Sequence, residues 1–312
     1  MIFKKNKVIF GDYVKNNDLV FNYIDVGARG DISSPWLELE KHSRIIGFEP
    51  DADEAKHLNK LFKNRKYFDI ALWSEKTSKA VYINEWESTS SMYKPNIDFI
   101  RNFQPKHWEG RIIKSSSEVE CETMDNILLK EELIPDFIKI DTQGSEYDIL
   151  KGAKQILSQY APLVTCETWC AEVYKDAPKM HKIISLMDSL GYQVFHMELA
   201  AAWHHGKKPS NCKRKSIGYE ILFVKISQLN YLYNNRKAMM KFILLLELYG
   251  YRDFACFILD KCKDKGLDSL KKKISLNQKN DMTLFNRILI RTLNLINKIR
   301  KTNFNIYPNI KY

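Results

Sequence analysis

Short apolar runs that end at or beside an acidic residue alternate with helix-like segments through the first two-thirds of this 312-residue chain. Runs this short and this apolar are typical of strands that are buried on both faces of a parallel sheet. Since strands that alternate with helices form βαβ units, the sequence predicts an α/β fold with a mostly parallel sheet. Three of the runs are residues 20–26, 43–49 and 137–141, and their acids are Asp25, Glu49 and Asp141.

Capping residues predict the helices between the strands. Ser34 is a suitable N-cap with Pro35 at the first helical position, and Pro50 opens a helix that runs to Phe62. Gly191 closes a later helix. Further helices are predicted at residues 145–157 and 177–190, and further strands at 66–73, 79–86, 162–167 (ending at Glu167), 192–198 and 219–226. Residues 85–117 are polar and show no regular pattern.

Basic charge is concentrated at the C-terminal end. Residues 231–312 hold 17 of the 49 Lys and Arg residues and 6 of the 38 Asp and Glu residues, so the remainder holds 32 of each and is neutral. The predicted secondary structure also changes at about residue 228. Beyond it, the sequence predicts two helices (236–266), a polar linker (268–281) and a final helix (283–301). We therefore expect a first domain at 1–227 and a basic helical extension at 228–312.

The final helix is amphipathic, and two interpretations are open. Its apolar face can dock on the protein itself or on a dimer mate, or the helix can lie on an anionic membrane. The N-terminus has no apolar stretch typical of a secretory signal, so we expect a cytoplasmic protein, either free or peripheral on the cytoplasmic membrane face. The oligomeric state is left open. The basic face holds Arg287, Arg291, Asn294, Lys298 and Lys301, and the apolar face holds Phe285, Leu289, Leu293, Ile296 and Ile299.

A glycine turn follows the first strand and suggests a nucleoside site. Ligands of open α/β sheets bind outside the carboxyl ends of the strands, where the backbone of Gly27 and Gly30 can pass close to a ligand. Glu49 lies about 20 residues further on, where an acid can accept hydrogen bonds from ribose hydroxyls. The chain has neither G-K-[ST] nor a complete G-x-G-x-x-G, so a nucleoside without phosphates, such as S-adenosylmethionine, fits better.

Six blocks, in order and spacing, resemble the FkbM-type S-adenosylmethionine-dependent methyltransferases. They are YIDVGARG, IIGFEPD, DIALWSE, STSSM, ETMDNIL and DFIKIDTQGSEYDILKGA, within Val20–Ile226. The resemblance implies a class I methyltransferase (Rossmann-like) fold with a seven-stranded, mostly parallel sheet and helices on both faces. It also implies S-adenosyl-L-methionine as the cofactor.

The resemblance further assigns cofactor contacts. Asp25, Gly27 and Gly30 would surround the methionine part, Glu49 would hold the ribose and Asp69 would border the adenine. Asp141 would face the cofactor amino group or the acceptor. The same blocks add Ala28, Pro50 and Ala71 as cofactor-binding positions. Two residues depart from the family pattern, namely Arg29 in place of a small polar residue and Gln143 in place of a glutamate.

Transfer of a methyl group to an alcohol benefits from a base that removes the hydroxyl proton. The candidates are Asp141, Glu167, His196, His204 and His205. For His196, within a predicted strand, a structural role is favoured, and His204 and His205 can equally belong to an ordinary surface loop. We expect Lys139 to form a structural ion pair with Glu146 or Glu167, and Glu146 can serve either the helix dipole or the site. The sequence shows no zinc-type ligand spacing, and no metal site is predicted.

A basic loop and three tryptophans bear on the acceptor. The loop is either a solvated face or a surface that recruits an anionic acceptor, and the tryptophans either pack in the core or stack on sugars. The loop cations are Lys207, Lys208, Lys213, Arg214 and Lys215, and the tryptophans are Trp108, Trp169 and Trp203.

The prediction is therefore an O-methyltransferase that acts on a hydroxyl of a sugar, glycan precursor or related small molecule, with the sugar resting on family analogy. Two alternatives are a nucleic-acid methyltransferase, which the basic tail favours, and a membrane-associated scaffold that retains the fold without activity. Against nucleic acid, the sequence DTQGSE follows the core strand where an N-P-P-Y or D-P-P-Y motif would stand.

Overall fold

The computed structural model describes residues 13–206, 213–227, 229–262 and 264–280. Their strands are β1 Phe21–Val26, β2 Ser43–Phe48, β3 Arg65–Phe68, β4 Ala71–Leu72, β5 Thr77–Asn84, β6 Ile113–Glu122, β7 Phe137–Ile140, β8 Leu163–Trp169, β9 Tyr192–Trp203 and β10 Lys215–Lys225. Their α-helices are α1 Trp36–Leu39, α2 Ala52–Leu61, α3 Ile97–Ile100, α4 Met124–Lys130, α5 Glu146–Lys151, α6 Lys154–Tyr160, α7 Met180–Ser189, α8 Asn230–Asn234, α9 Arg236–Leu248, α10 Arg252–Lys261 and α11 Asp268–Asn280.

Seven strands form one sheet in the order β3-β2-β1-β7-β8-β10-β9. The first five strands in this order, β3, β2, β1, β7 and β8, are parallel, whereas β10 runs antiparallel to both β8 and β9. This arrangement confirms the predicted α/β fold with a seven-stranded, mostly parallel sheet. A second sheet of three strands, in the order β4-β6-β5, lies outside it.

The central strands are apolar because they are covered on both faces. Ile24 of β1, Ile138 of β7, Val164 of β8 and Ile221 of β10 are fully buried in one core cluster. Burial of each such side chain contributes about 1.5–3 kcal/mol to folding. The polar ends of these strands are therefore held by a rigid sheet.

The second sheet accounts for two differences from the sequence analysis. Residues 66–73 form two strands instead of one, because β3 ends at Phe68 and Ala71–Leu72 pairs with β6. The segment without a predicted pattern, 85–117, contains short helical turns and the start of β6. Most β6 side chains are exposed, so the strand lacks the apolar alternation that reveals a half-buried strand.

Several element ends also differ from prediction. Helix α1 begins at Trp36, with Pro35 before it, so the cap lies one residue later than expected. Strand β8 continues to Trp169, so Glu167 lies inside the strand instead of at its end. The expected linker at 268–281 is helix α11, because Leu270 and Ile274 share one face and are both buried.

The chain divides into two compact units between Leu245 and Leu246, inside α9, whereas the predicted domain boundary lies earlier, after residue 227. In the first unit, Lys241 Nζ lies 2.8 Å from Oδ2 of Asp136, so the first half of α9 is tied to the residue before β7. In the second, Arg252 Nε donates to Glu247 Oε1 at 3.0 Å. None of the described helices is long and apolar enough to cross a bilayer. The predicted final helix, 283–301, lies outside the described residues.

Candidate functional site

A cavity of about 490 Å³ lies where β1, β2 and β7 end. Its wall combines those strand ends with the antiparallel pair β5–β6 and with the segment 87–92. The described lining holds one cation, Arg29, and five acids, namely Glu49, Asp51, Glu87, Glu118 and Asp141. The cavity is thus acidic, and its size is in the range of small-molecule sites.

Glu49 is a buried carboxylate at the end of β2. Only 5% of the residue is exposed, and its Oε1 accepts the Asp51 N–H at 3.0 Å. Burial raises the pKa of Glu49, while the Asp51 N–H and the charge of Arg29 act in the opposite direction. Asp51 itself caps α2 by accepting from the Asp53 and Glu54 amides. The backbone turn at 49–51 therefore fixes the carboxylate in the cavity.

Gly27 allows the ends of β1 and β7 to approach closely. Its φ is +81°, and a Cβ at this position would lie 2.0 Å from the Asp141 carbonyl oxygen. Any side chain would push the two loops apart. Gly27 and Asp141, which come from separate strands, both line the cavity as a result.

Asp25 forms an ion pair with Lys139, so its Oδ1 is not open to a ligand. The Lys139 Nζ lies 3.0 Å from Asp25 Oδ1, and only 7% of the Asp25 side chain is exposed. Burial raises the pKa of Asp25 and Lys139 opposes that rise. The expected ion pair of Lys139 exists, but its partner is Asp25 and neither Glu146 nor Glu167, because Lys139 faces Asp25 in the register of β1 and β7.

Glu146 closes the turn after β7. Its Oε1 accepts the amides of Thr142 and Gly144, each at 3.0 Å, across residues that include the left-handed Gln143 (φ +58°). The residue is 1% exposed, and burial raises its pKa to about 7. These contacts give Glu146 a structural role in the turn before α5, which was not one of the two roles considered from the sequence.

Gln143 joins two carboxyl groups. Its Nε2 donates to Asp141 Oδ1 at 3.1 Å and to Glu167 Oε2 at 2.6 Å. The buried Tyr174 hydroxyl donates to Gln143 Oε1 at 2.9 Å, which fixes the orientation of the amide. Burial and the neighbouring charge of Asp141 raise the pKa of Glu167 well above its usual range. A glutamate at 143 would lack the N–H groups that both carboxyls accept.

The remaining predicted cofactor residues divide into two sets. Pro50 and Ala71 line the cavity. Ala28, Gly30 and Asp69 are not among the described lining residues. The Ala28 backbone N–H donates to the Phe48 carbonyl, and the Gly30 backbone N–H donates to the Glu54 carboxylate. Asp69 is exposed. Arg29 pairs with Asp51 at 2.7 Å and with Glu87, so this family departure joins the glycine turn to the segment 87–92.

His204 and His205 lie apart from the cavity lining, beside an aromatic cluster. The His205 ring stacks on Phe103 with centroids 4.3 Å apart, and the backbone N–H of Gln104 donates to the His204 carbonyl. We define the aromatic cluster as Phe99, Phe103, Trp108, Trp169, Tyr174 and Trp203. The predicted acceptor tryptophans Trp108, Trp169 and Trp203 thus pack together.

Sequence reasoning missed the wall that β5 and β6 form and the linking role of Gln143. It also missed Arg111, which lies over the rings of Trp169 and Trp203. Ser115, Ser117 and Val119 share one face of β6 and line the wall, but residue 116 is also a serine, so the sequence shows no alternation that would have revealed it. Among the described residues, no group of three or more His, Cys, Asp or Glu side chains gathers in a way that could hold a metal ion.

The lining fits S-adenosylmethionine. Glu49 offers a carboxylate to ribose hydroxyls, Phe48, Leu72 and Ile149 offer apolar surface to a purine, and the excess of acids suits a sulfonium cation. Arg29 is the only cation in the described lining.

Comparison with known proteins gives a family. The model of the methyltransferase FkbM domain matches residues 25–194. A search of curated proteins found no significant match.

A search of solved structures matches methyltransferase FkbM from Methylobacillus flagellatus KT, with 16% identity over 67% of this chain and a TM-score of 0.36; this chain spans 46% of that one. Magnesium protoporphyrin IX methyltransferase from Synechocystis PCC 6803, with bound S-adenosylmethionine, has 7% identity over 72% of this chain and 79% of its own, with a TM-score of 0.36. A TehB-like methyltransferase from Corynebacterium glutamicum has 9% identity, coverages of 70% and 88%, and a TM-score of 0.33.

The match to the domain model confirms the resemblance seen in the sequence and, with it, S-adenosylmethionine as the cofactor. Since that match covers more than half of the chain, the protein belongs to the FkbM methyltransferase family.

Proposed function

We propose that the protein transfers the methyl group of S-adenosylmethionine to a hydroxyl oxygen of a sugar, a glycan precursor or a related small molecule. The observation that supports this most is the fixed pair of Asp141 and Glu167, joined by Gln143, where Asp141 shares a cavity with Glu49. One part of the cavity suits the nucleoside and another offers a carboxylate to the acceptor.

S-Adenosylmethionine supplies a methyl group on a sulfonium, and its transfer forms a C–O bond, breaks the C–S bond with the electron pair going to sulfur, and releases the hydroxyl proton. Asp141 is the residue in the cavity that we assign to accept this proton. Burial and the neighbouring charge of Asp141 raise the pKa of Glu167, which favours a proton on Glu167 at neutral pH. Gln143 holds Asp141 in one orientation, which reduces the cost of aligning the reactants.

Uncharged polar groups in the cavity support a hydroxylated acceptor. Ser88, Ser115 and Ser117 line it with exposed side chains, and each hydroxyl can both donate and accept. A sugar offers the same two capacities at each of its hydroxyls.

The test is transfer of labelled methyl from S-adenosylmethionine to a cell extract separated into lipids, polysaccharides, small molecules and nucleic acids. We expect alkali-stable label in a sugar-containing fraction with the wild type, little with Asp141→Asn, and wild-type labelling with Asp188→Asn, an exposed aspartate on α7. Label confined to nucleic acids, or base-labile methyl esters, would contradict the proposal. A wild type that does not bind the cofactor would instead favour the scaffold alternative.

A further inference from the structure

Three buried nitrogen donors have no hydrogen-bond partner among the described residues. They are Arg111 Nε, Gln104 Nε2 and Trp169 Nε1. Gln104 and Trp169 are only 5% and 4% exposed. A buried donor without a partner costs about 1–3 kcal/mol, and folded proteins satisfy about 90% or more of such groups. Three in one region therefore require an explanation.

Trp169 belongs to the aromatic cluster, and Arg111 and Gln104 lie beside it. The Arg111 guanidinium lies 5.7 Å from the Trp169 ring centroid and 5.3 Å from that of Trp203. Gln104 follows Phe103, whose ring is 5.3 Å from that of Trp203. The donors thus come from the segment 104–111 and from β8, two parts of the chain that contact the same cluster.

This cluster adjoins the Asp141–Gln143–Glu167 network. Trp169 follows Glu167 by two residues on β8, so the two side chains leave the same face of the strand. Tyr174 lies 6.0 Å from the Trp169 ring and donates to Gln143. A ligand group held by the three donors would accordingly lie beside the carboxylate that we assign to receive the proton.

Exposed cations surround the same cluster. Arg101 lies 5.5 Å from the Trp108 ring and Lys215 lies 5.0 Å from the Phe99 ring. Burial, and then the charges of Lys106, Arg111, His204 and Arg214, lower the pKa of His107 to about 4. A cationic rim attracts anions and raises their local concentration.

We propose that the aromatic cluster is the acceptor subsite and that Arg111, Gln104 and Trp169 bind an oxyanion, a carboxylate or a phosphate, carried by the acceptor. This rests on the proposed function, because it places the anion next to the hydroxyl that is methylated. Oxyanions accept several hydrogen bonds at once, which is what a set of donors without internal acceptors requires. The acidic cavity beside Glu49 then serves the cationic cofactor, and the basic cluster serves an anionic acceptor.

The test is calorimetric titration of the full-length protein, with S-adenosylmethionine present, using inorganic phosphate, D-glucuronate and neutral D-glucose as probes. We expect saturable binding of phosphate, glucuronate or both, and weaker binding of glucose. Phosphate alone would indicate a phosphorylated acceptor and glucuronate alone a carboxylated one. Binding of the preferred anion should weaken roughly tenfold or more in Arg111→Met and in Trp169→Phe.

Matched variants separate binding from folding. Arg44→Met and Trp86→Phe remove an exposed arginine and an exposed tryptophan elsewhere and should retain anion binding. Trp169→Phe also removes part of a buried ring, so its Tm is measured alongside, and retained S-adenosylmethionine binding identifies the variant as folded. If the wild type binds S-adenosylmethionine but neither anion, or if both cluster variants bind anions as the wild type does, the subsite is wrong while the proposed function stands. If the wild type does not bind S-adenosylmethionine, the proposed function is wrong as well.

Discussion

Lys139 and Asp25 face each other on neighbouring parallel strands, with Nζ and Oδ1 3.0 Å apart. This explains why a core strand carries a lysine near its end. The charge of Lys139 offsets that of a nearly buried carboxylate, and it also interacts with Asp141. The pair therefore holds the ends of β1 and β7 together directly below the cavity.

Removal of the lysine should destabilise the fold strongly. Lys139→Met leaves Asp25 buried without its partner, so we expect the free energy of unfolding at pH 7 to fall by about 3 kcal/mol in urea denaturation. The surface control is Lys66→Met, which breaks the exposed pair with Glu131 and should have little effect on stability. The double variant Asp25→Asn with Lys139→Met should recover much of the loss. Equal effects of the two lysine substitutions would show that the buried pair has no special weight.

Glu146 should make stability depend on pH. Burial raises its pKa from the ordinary 4.5 to about 7 in the folded protein, so its contribution is fully present below about pH 4.5 and is lost as the pH rises to 7. In Glu146→Gln, the new side-chain amide would not titrate and would keep the Oε1 acceptor. We therefore expect this variant to gain about 3 kcal/mol relative to the wild type between pH 4 and pH 8, measured by urea unfolding.

The control for this pH dependence has the opposite sign. The hydrogen bond from Lys66 lowers the pKa of Glu131, so Glu131 stabilises the fold above its unfolded pKa and loses that effect as the pH falls. Glu131→Gln should thus be less stable than the wild type at neutral pH and approach it in acid. A stability difference for Glu146→Gln that stays constant with pH would contradict the assigned cause.

Gln143 should affect chemistry more than cofactor binding. Gln143→Leu removes the amide that positions Asp141 and Glu167, so we expect the rate of methyl transfer to the labelled fraction to fall roughly tenfold or more. The Kd for S-adenosylmethionine should change less than about twofold. Gln155→Leu, at an exposed position on α6, should match the wild type in both measurements. A change confined to cofactor affinity would place Gln143 in the cofactor site instead.

The basic C-terminal segment should bind anionic membranes. Residues 283–312 hold six Lys and Arg residues and no Asp or Glu, and each cation near an anionic surface contributes about 1 kcal/mol. Removing this segment should greatly reduce cosedimentation with phosphatidylglycerol vesicles and leave the cofactor Kd unchanged. Full-length and truncated protein that cosediment equally would exclude the membrane role and favour docking of the predicted final helix on protein.

The sequence predicted those parts of the fold and site that depend on local patterns. The apolar runs of β1, β2 and β7 identified the parallel sheet, and the acids at their ends located Glu49 and Asp141 in one cavity. Gly27 also followed, because a glycine after a buried strand marks a close backbone approach.

Features that depend on distant partners could not be predicted. The partner of Lys139 depends on strand order and register, which no local pattern encodes. Gln143 links residues 141, 167 and 174 only after β7 and β8 pair. Strand β6 is polar and exposed, so it gave no periodic signal although it forms a wall of the cavity.

The most direct measurement is calorimetric titration of S-adenosylmethionine into the wild type, Glu49→Ala and the exposed-site control Glu75→Ala. If the cavity at the ends of β1, β2 and β7 holds the cofactor, the wild type and Glu75→Ala bind one equivalent with the same Kd. Glu49→Ala should bind roughly tenfold or more weakly, because it loses charged hydrogen bonds to ribose. Equal affinity in all three proteins would show that the cofactor binds elsewhere and would contradict the account.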